Sequence, residues 1–481
     1  MTVTTKGPLP SEPYDVTVVG AGVVGTAIAR ELAHHALRIA LVEASGDVGD
    51  GTSKANTAIL HTGFDAVPGS LEARLVREGR RLLAAYAIES GIPVEPVGAL
   101  LVAWDEEQLA ALPALLKKAE ANDYHEARII GAEEVRSREP HLGEGALGAL
   151  EVPGESIICP WTTTLAYATQ AVRAGVDLHL NCKVEGITSP QPPPDDADHH
   201  ELTTPRGVIR TRHLINAAGL HADVIDQLLF GRGKFTVTPR RGQLIVFDKL
   251  ARDLVRHILL PVPTALGKGI LVAPTVYGNV LLGPTAEELD DKRATGTTGD
   301  GLDGLRAKGE RILPSLVDEE VTAVYAGLRA ATEHDDYQIH SAPEQRYITV
   351  GGIRSTGLTA SMAIAEHVVG LLADAAGPDL DLTVAGNLDP VHMPNIGESF
   401  PRPYQRADLI ATDSAYGSIV CHCERVTRGE IRDALISTVP PGSLDGLRRR
   451  TRARGGRCQG FYCGAAVREL FEGWGESGAA R

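Results

Sequence analysis

Two groups of residues in this chain have the types and the spacing to do chemistry. The first is Gly20-Ala-Gly22-Val-Val-Gly25, three glycines at G-x-G-x-x-G spacing. A β-rich run from Asp15 to Val19 leads into them. A small-residue helix follows from Thr26, and then a second strand, Arg38-Ile-Ala-Leu-Val-Glu43. Strand, glycine turn, helix and second strand together are the setting a dinucleotide-binding turn requires. Gly20 permits the tight turn, Gly22 lets the backbone approach a pyrophosphate, and Gly25 lets the helix pack on the strand. The helix N-terminus presents free N–H groups and a partial positive charge to phosphates. Glu43, 18 residues after Gly25, is placed to accept from ribose hydroxyls. The fingerprint predicts a bound dinucleotide and does not separate NAD from FAD. The second group is Cys421-His-Cys423 and Cys458-Gln-Gly-Phe-Tyr-Cys463, read as C-x-C, 34 residues, then C-x4-C. Four thiolates suit an iron–sulfur cluster or zinc. Structural zinc more often uses C-x2-4-C pairs, so the spacing favours a [2Fe–2S] cluster. The run Leu447-Arg-Arg-Arg-Thr-Arg-Ala-Arg-Gly-Gly-Arg457 lies between the pairs. Alone it reads as a nucleic-acid patch or a solvated turn. Beside four thiolates its arginines are expected to offset the cluster's negative charge.

Composition sets the frame for these sites. At 481 residues the chain has room for two or three domains. Apolar residues at 43% suit a soluble globular protein. Lys plus Arg number 47 against 62 Asp plus Glu, a net of −15, which argues against general nucleic-acid binding. No run of about 18 apolar residues is present, so no membrane span is expected. Met1 to Pro13 is polar, so no secretory signal is expected. Four of the six cysteines sit from Cys421 onward, which suits a metal or cluster site in a reducing cytoplasm rather than a disulfide framework. Cys159 and Cys182 read as core thiols.

The elements that must position these residues follow in order. A Gly-Thr-Ser turn with Thr52 and Ser53 can offer hydroxyls and N–H groups to a cofactor, or be an ordinary turn. Ser70 caps a helix from Leu71 to Glu89, and Gly91 stops it. Val94 to Trp104 reads as a strand, and Glu106 to Ala121 as a helix that Pro113 breaks or kinks. Thr162 to Ala174 reads as a helix and Val176 to Ile187 as a strand. Residues 190–200, rich in Pro and Asp, read as an exposed loop. A strand pair leads through Asn216-Ala-Ala-Gly219 into a further helix. From Phe235 to Gly283 the pattern is mostly strand and predicts a second, antiparallel sheet. Tyr347 to Thr359 is another strand-to-helix turn rich in Gly and hydroxyls, and its helix runs to Ala375. Residues 376–410 read as a linker.

These stretches resemble two known pieces joined in one chain. Residues 14 to about 375 resemble the D-amino-acid-oxidase-type flavoprotein superfamily, in the branch of L-2-hydroxyglutarate oxidase and FAD-dependent glycerol-3-phosphate dehydrogenases. The resemblance rests on the glycine turn, His61-Thr-Gly-Phe, Pro68-Gly-Ser-Leu-Glu-Ala-Arg74, Asn216 to Asp223, Leu282-Gly-Pro-Thr285 and Gly351 to Thr359. The tail, through Leu447-Arg-Arg-Arg-Thr-Arg and Gly456 to Cys463, resembles the bacterioferritin-associated-ferredoxin-like [2Fe–2S] domain, as found at the end of one component of the anaerobic glycerol-3-phosphate dehydrogenases.

The resemblance implies FAD rather than NAD, and an α/β fold. A Rossmann-like FAD domain (about 13–60, 151–235 and 335–375) would carry an inserted, mainly antiparallel substrate domain (about 61–150 and 236–334). A linker at 376–410 and a small helical [2Fe–2S] domain at 411–481 would follow. Gly20, Gly22, Val24, Gly25, Glu43, Thr52, Ser53, Val184, Ala218 and Gly219 would hold the ADP half. Gly352, Ser355, Thr356, Gly357, Leu358 and Thr359 would face the isoalloxazine, with the following helix stabilising negative charge on the reduced ring. Cys421, Cys423, Cys458 and Cys463 would hold the cluster.

The implied activity is a dehydrogenase. It would oxidise the secondary alcohol of a small anionic substrate, glycerol 3-phosphate or a 2-hydroxy acid such as L-2-hydroxyglutarate. Electrons would leave singly through the cluster to an acceptor: a quinone, a partner subunit or another redox protein. The alternatives are C–N oxidation of an amino acid or opine, and a non-catalytic electron-transfer role in a larger complex. Alcohol oxidation needs a base near neutral pH, which a histidine provides. His61 is the candidate, with His221 and His334 as the others. An anionic substrate needs a fixed cationic fork, for which Arg329 and Arg354 are the candidates. The expected place is the cytoplasm, free or held at the inner membrane through a partner.

Overall fold

The valine-rich strand Tyr14–Val19 lies inside the first sheet because it is apolar on both faces, with every side chain from Val16 to Val19 buried. The computed structural model describes residues 3–189, 199–263, 269–376 and 380–478. The strand has parallel neighbours on both sides, Ile39–Val42 and Gly207–Asn216. Asp177–His179 and Val3–Thr4 continue the parallel order past Ile39–Val42, and Tyr347–Gly351 runs parallel to the end of Gly207–Asn216. Antiparallel strands Gly186–Thr188, His200–Thr204 and Gln338–Ala342 complete the sheet. The single strand expected from Val176 to Ile187 is two strands far apart in this sheet: Asp177–His179 lies between Val3–Thr4 and Ile39–Val42, and Gly186–Thr188 forms the opposite edge. Asn181, with φ of 51°, turns the chain between them. Most of the Pro-rich run expected as an exposed loop, 190–198, lies outside the described residues.

Helices cover the sheet where small side chains allow close approach. Val23–Leu32 packs against Pro160–Arg173 and against Gly357–Ala376, which also packs on Leu71–Ser90. A side chain at Gly79 would overlap the carbonyl oxygen of Thr359, so these last two helices meet backbone to backbone. By length and composition Gly357–Ala376 could cross a bilayer. Here it is a core helix: Ile364, Val368 and Leu372 are buried in the main apolar cluster. Ser70 Oγ accepts from Ala73 N, and Gly91, in the left-handed region, ends the helix. The helix expected from Thr162 begins two residues earlier, because Cys159 caps it and Pro160 occupies its first turn. Glu106–Ala121 runs unbroken through Pro113, whose ring is exposed, so the missing bond lies on the wet side of the helix.

The second sheet draws on residues 99–152 and 238–331. Its strands pair antiparallel except for Ile258–Pro261 beside Ala99–Ala103, which run parallel. The long strand Val321–Ala331 pairs with Thr238–Phe247 in a register that sets Arg329 opposite Arg240. The strand expected from Val94 to Trp104 divides at Gly98, whose φ is +67°. Val94–Glu95 joins Ile59–Leu60 and Ser156–Ile158 in a small sheet, and Ala99–Ala103 joins the large one.

The segment read as a linker is packed down over much of its length. Val391, Met393 and Ile396 are buried in the main core, and the buried Arg402 pairs with Glu430 at 2.8 Å. Beyond it lies a small unit: the hairpin Ile419–Cys421 with Val426–Thr427, and the helices Arg428–Leu435, Leu444–Thr451 and Gly464–Gly478. Its core contains Val426, Ile431, Leu447 and Val467, together with Cys421 and Cys463.

Candidate active site and cluster site

The glycine turn is held by contacts that exclude side chains. Gly20 has φ of +104°, and a Cβ there would stand 2.5 Å from the carbonyl oxygen of Ala217. A Cβ on Gly25 would overlap the carbonyl oxygen of Gly20. Gly22 caps the helix Val23–Leu32 with no side-chain bond of its own. Ser53 Oγ instead accepts from Val23 N at 2.9 Å. Glu43 accepts two backbone amides, Ala21 N on Oε2 and Ser45 N on Oε1, both at 2.8 Å. Burial pushes its carboxyl above the ordinary range. Glu43 therefore braces the turn.

A cavity of about 1250 Å³ opens in front of the turn. Gly22 and Val24, with Thr52 and Ser53, line one part of it, and Gly219 borders it beside Ala217. Ser355, Thr356, Gly357 and Leu358 line another part, and His61, Arg329 and Arg354 reach it as well. Gly20, Gly25, Glu43, Gly352, Ala218, Val184 and Thr359 stand outside that lining. Val184 is buried in a side cluster with Val19 and Ala40. Thr359 is fully buried, and its Oγ1 accepts from His61 N at 3.0 Å. The donor set fits FAD: the glycine turn leaves an open cradle, and the helices Val23–Leu32 and Gly357–Ala376 both begin at the cavity wall.

His61 is fixed from behind by Glu155, whose side chain is wholly buried. Glu155 Oε2 lies 3.1 Å from His61 Nδ1. Its other oxygen accepts from Thr62 N at 2.6 Å and Thr62 Oγ1 at 2.8 Å. A carboxylate on Nδ1 selects the tautomer that donates there and leaves Nε2 as the acceptor. His221 and His334, the other candidates, do not line the cavity. Sequence reading missed Glu155. It lies 94 residues from His61 on a separate turn, and nothing local marks it. Glu72 and Tyr337 were missed too: Thr356 Oγ1 is 2.6 Å from each of their oxygens. Glu72 stands in the stretch Pro68 to Arg74, which carried part of the resemblance.

Arg329 is half-buried at the cavity and makes no ion pair among the described residues. Burial and the nearby Arg240 hold its guanidinium below the usual arginine range. Room for it comes from Gly242, where a Cβ would stand 3.0 Å from Arg329 Nη2. Arg240 itself pairs with Glu288 at 2.6 Å. The Arg354 guanidinium donates to the backbone carbonyl of Asp335 and reaches the same cavity.

The four tail cysteines converge. Cys421 and Cys423 Sγ are 3.9 Å apart, Cys423 and Cys458 Sγ 3.7 Å, and Cys463 lies beside Cys421. Among the described residues no three metal-ligating side chains close around a single ion. Sulfurs running in a chain fit a binuclear cluster better than one tetrahedral zinc. Residues with positive φ crowd here: Arg425, Arg452, Arg454 and Gln459. Burial pushes the Cys423 thiol up to about 12, and backbone amides led by Tyr462 hold Cys458 down. Most of the arginine run serves another purpose than charge offset. Arg449 and Arg450 bind Asp47, Arg452 binds Glu424 and Asn279, and Arg457 binds Asp248. Arg457 also feels the Cys423 thiol.

Fold and site together define a flavoenzyme with an attached iron–sulfur unit, and comparison with known proteins agrees. Residues 15–371 match the FAD dependent oxidoreductase (DAO) family, and residues 419–473 match the BFD-like [2Fe-2S] binding domain. The chain belongs to the FAD-dependent oxidoreductase family; it is an enzyme with FAD and [2Fe–2S] as its cofactors. It is similar to a glycerol 3-phosphate dehydrogenase of Caloramator mitchellensis, 36% identical over 95% of this chain and 94% of that one. It is 25% identical to one component of the anaerobic glycerol-3-phosphate dehydrogenase of Escherichia coli, over 96% and 88% of the two chains. Among solved structures, the dithionite-reduced L-α-glycerophosphate oxidase of Mycoplasma pneumoniae with FAD bound superposes with a TM-score of 0.74 and 30% identity, covering 80% of this chain and all of that one.

Gly22→Val should remove FAD. A Cβ at Gly22 already stands 3.2 Å from Ser53 Oγ, so the added methyls turn into the cavity where a pyrophosphate must approach. The ratio of flavin to protein absorbance after gel filtration measures this. A full complement of FAD in that variant would show that the turn does not hold the cofactor.

Proposed function

We propose that this chain oxidises the secondary alcohol of glycerol 3-phosphate to the ketone and passes the electrons to a separate acceptor. The observation that carries the reading is Arg329: a partly buried cation at the cavity wall, with no ion pair among the described residues, reaching the same space as His61. A guanidinium in such a place is suited to a phosphate or carboxylate, which it binds with two parallel N–H bonds. Arg354 adds a second cation on the same wall. The similarity to glycerol 3-phosphate dehydrogenases along nearly the whole chain supports the phosphate over a carboxylate.

When bound, FAD supplies a hydride acceptor and the [2Fe–2S] cluster a one-electron carrier. The chain's own residues do the rest. Arg329 and Arg354 hold the anionic end, which orients the alcohol carbon. His61 Nε2 accepts the hydroxyl proton as the C–H bond breaks. Glu155 holds the ring in the accepting tautomer and stabilises the imidazolium that forms. Glu72 and Tyr337 fix Thr356 at the cavity wall. The acceptor is a quinone, a redox protein or a partner subunit, and the cytoplasm is the proposed place of action.

An anaerobic substrate panel tests the reading without knowledge of the acceptor. Glycerol 3-phosphate should bleach the flavin band, glycerol should not, and L-2-hydroxyglutarate should act weakly. Bleaching by an amino acid and not by glycerol 3-phosphate would move C–N oxidation to the front. Arg329→Gln should raise KM by roughly 10- to 100-fold with a smaller effect on kcat, the size of a lost hydrogen-bonded charge. An unchanged KM would remove Arg329 from substrate binding. Glu155→Gln keeps an acceptor for Thr62 but turns an NH2 toward His61 Nδ1, which shifts the ring proton to Nε2. Flavin reduction should slow by about 100-fold or more, and an undiminished stopped-flow rate would refute the tautomer role.

A further inference from the structure

One loop touches both cofactor-bearing parts of the chain. Residues 43–54 leave the strand Ile39–Val42 and brace the glycine turn with three bonds. Ala21 N donates to Glu43 Oε2 and Gly49 N to the Ala21 carbonyl, both at 2.8 Å, and Val23 N donates to Ser53 Oγ at 2.9 Å. Thr52 and Ser53 also line the large cavity. The same loop carries Asp47, 2% exposed. Arg450, from the helix Leu444–Thr451 of the cluster unit, binds Asp47 as a fork: Nη1 to Oδ2 and Nη2 to Oδ1, each at 2.7 Å. Arg449 Nη2 adds a third bond to Oδ2 at 3.1 Å. Arg450 Nε in turn donates to the carbonyl of Val439, which ties the fork to the backbone of its own unit.

The fit is backbone-close on the cluster side. A Cβ on Gly442 would overlap the carbonyl oxygen of Gly46, and one on Gly446 would overlap Asp47 Oδ2. Arg449 and Arg450 share a small gap of about 10 Å³ with Gly49 and Ser53. A second contact flanks the first. Arg452 covers the Tyr277 ring at 4.4 Å, Tyr277 stacks on Trp161 at 4.9 Å, and Trp161 Nε1 donates to the Lys54 carbonyl at 3.0 Å. Parting the two units would break the fork and expose Asp47 with both guanidiniums, so the contact sets the registry of the two units more than it adds stability. A shift of the loop therefore displaces the carboxylate that the cluster unit grips, and a shift of the cluster unit pulls on the loop.

We propose that residues 43–54 couple the two cofactor sites, with Asp47 and Arg450 as positioning residues. Docking of the cluster unit organises the loop for FAD, and FAD in its site holds the cluster unit at a fixed distance from the flavin. Coupling of this kind is reciprocal in free energy. It is independent of which substrate the enzyme takes.

The test uses the full chain with its cluster intact and FAD removed, titrated with FAD and followed by hydrogen exchange. Saturation with FAD should slow exchange at residues 440–452 by about 5-fold or more, although these residues lie outside the FAD cavity. Gly442→Ala and Arg450→Gln should abolish that response and raise the Kd for FAD, read by flavin fluorescence, by about 10-fold. Arg450→Lys, which keeps the charge and loses the fork, should fall between. Iron and sulfide content reports whether each variant keeps its cluster unit. Should a variant lose its cluster, the wild-type titration still decides. Exchange at 440–452 that ignores FAD in the wild-type protein overturns the coupling, as does wild-type FAD affinity in cluster-loaded Gly442→Ala.

Discussion

The glycine turn is packed backbone on backbone, and Gly25 leaves no room for a side chain against the carbonyl of Gly20. Much follows from that contact. It lets the helix Val23–Leu32 start directly at the end of the strand Tyr14–Val19, so the helix N-terminus faces the cavity. Gly20, pressed on Ala217, fixes the turn against the strand Gly207–Asn216. Glu43, from the next strand, then closes the turn by accepting the Ala21 amide. An added methyl at either glycine must push backbone away from backbone, and interiors packed this closely respond by moving whole elements.

The cavity combines two opposite electrostatic solutions. Behind His61, a wholly buried carboxylate is satisfied by an amide, a hydroxyl and the imidazole. A buried charge so completely bonded is stable and rigid. At the wall, Arg329 makes no ion pair among the described residues, and burial with the nearby Arg240 holds its guanidinium below the usual arginine range. One group is fixed because its bonds are complete. The other is a half-buried cation whose ion-pairing capacity is unused among the described residues.

The cluster unit joins the body largely through arginines. Asp47 and Asp248 each take a guanidinium from the run between the two cysteine pairs, and Arg452 reaches Asn279 of the body. Such pairs contribute little net stability, because desolvation offsets most of the attraction. What they supply is registry: a planar fork on a carboxylate permits few orientations. The contact therefore fixes where the unit sits more than how tightly it is held.

Much of this protein was legible in its sequence because the controlling signals are local. The glycine spacing and the run of valines before it need only neighbours in the chain to be read. The same holds for the cysteine pairs, the Ser70 cap and the Gly91 stop. Other features depended on residues that meet only after folding. Gly98 and Asn181 each divide a run that looks like one strand, because positive φ sends the two halves to different sheets or to distant positions in one sheet. The apparent linker has weak periodicity, yet Val391, Met393 and Ile396 find a core already formed by others. Glu155 acquires its role from His61, 94 residues away, and Asp47 from Arg450, 403 residues away. A charge in a sequence shows only that it needs a partner or water; the tertiary structure decided which charges were paired and which joined one domain to the next.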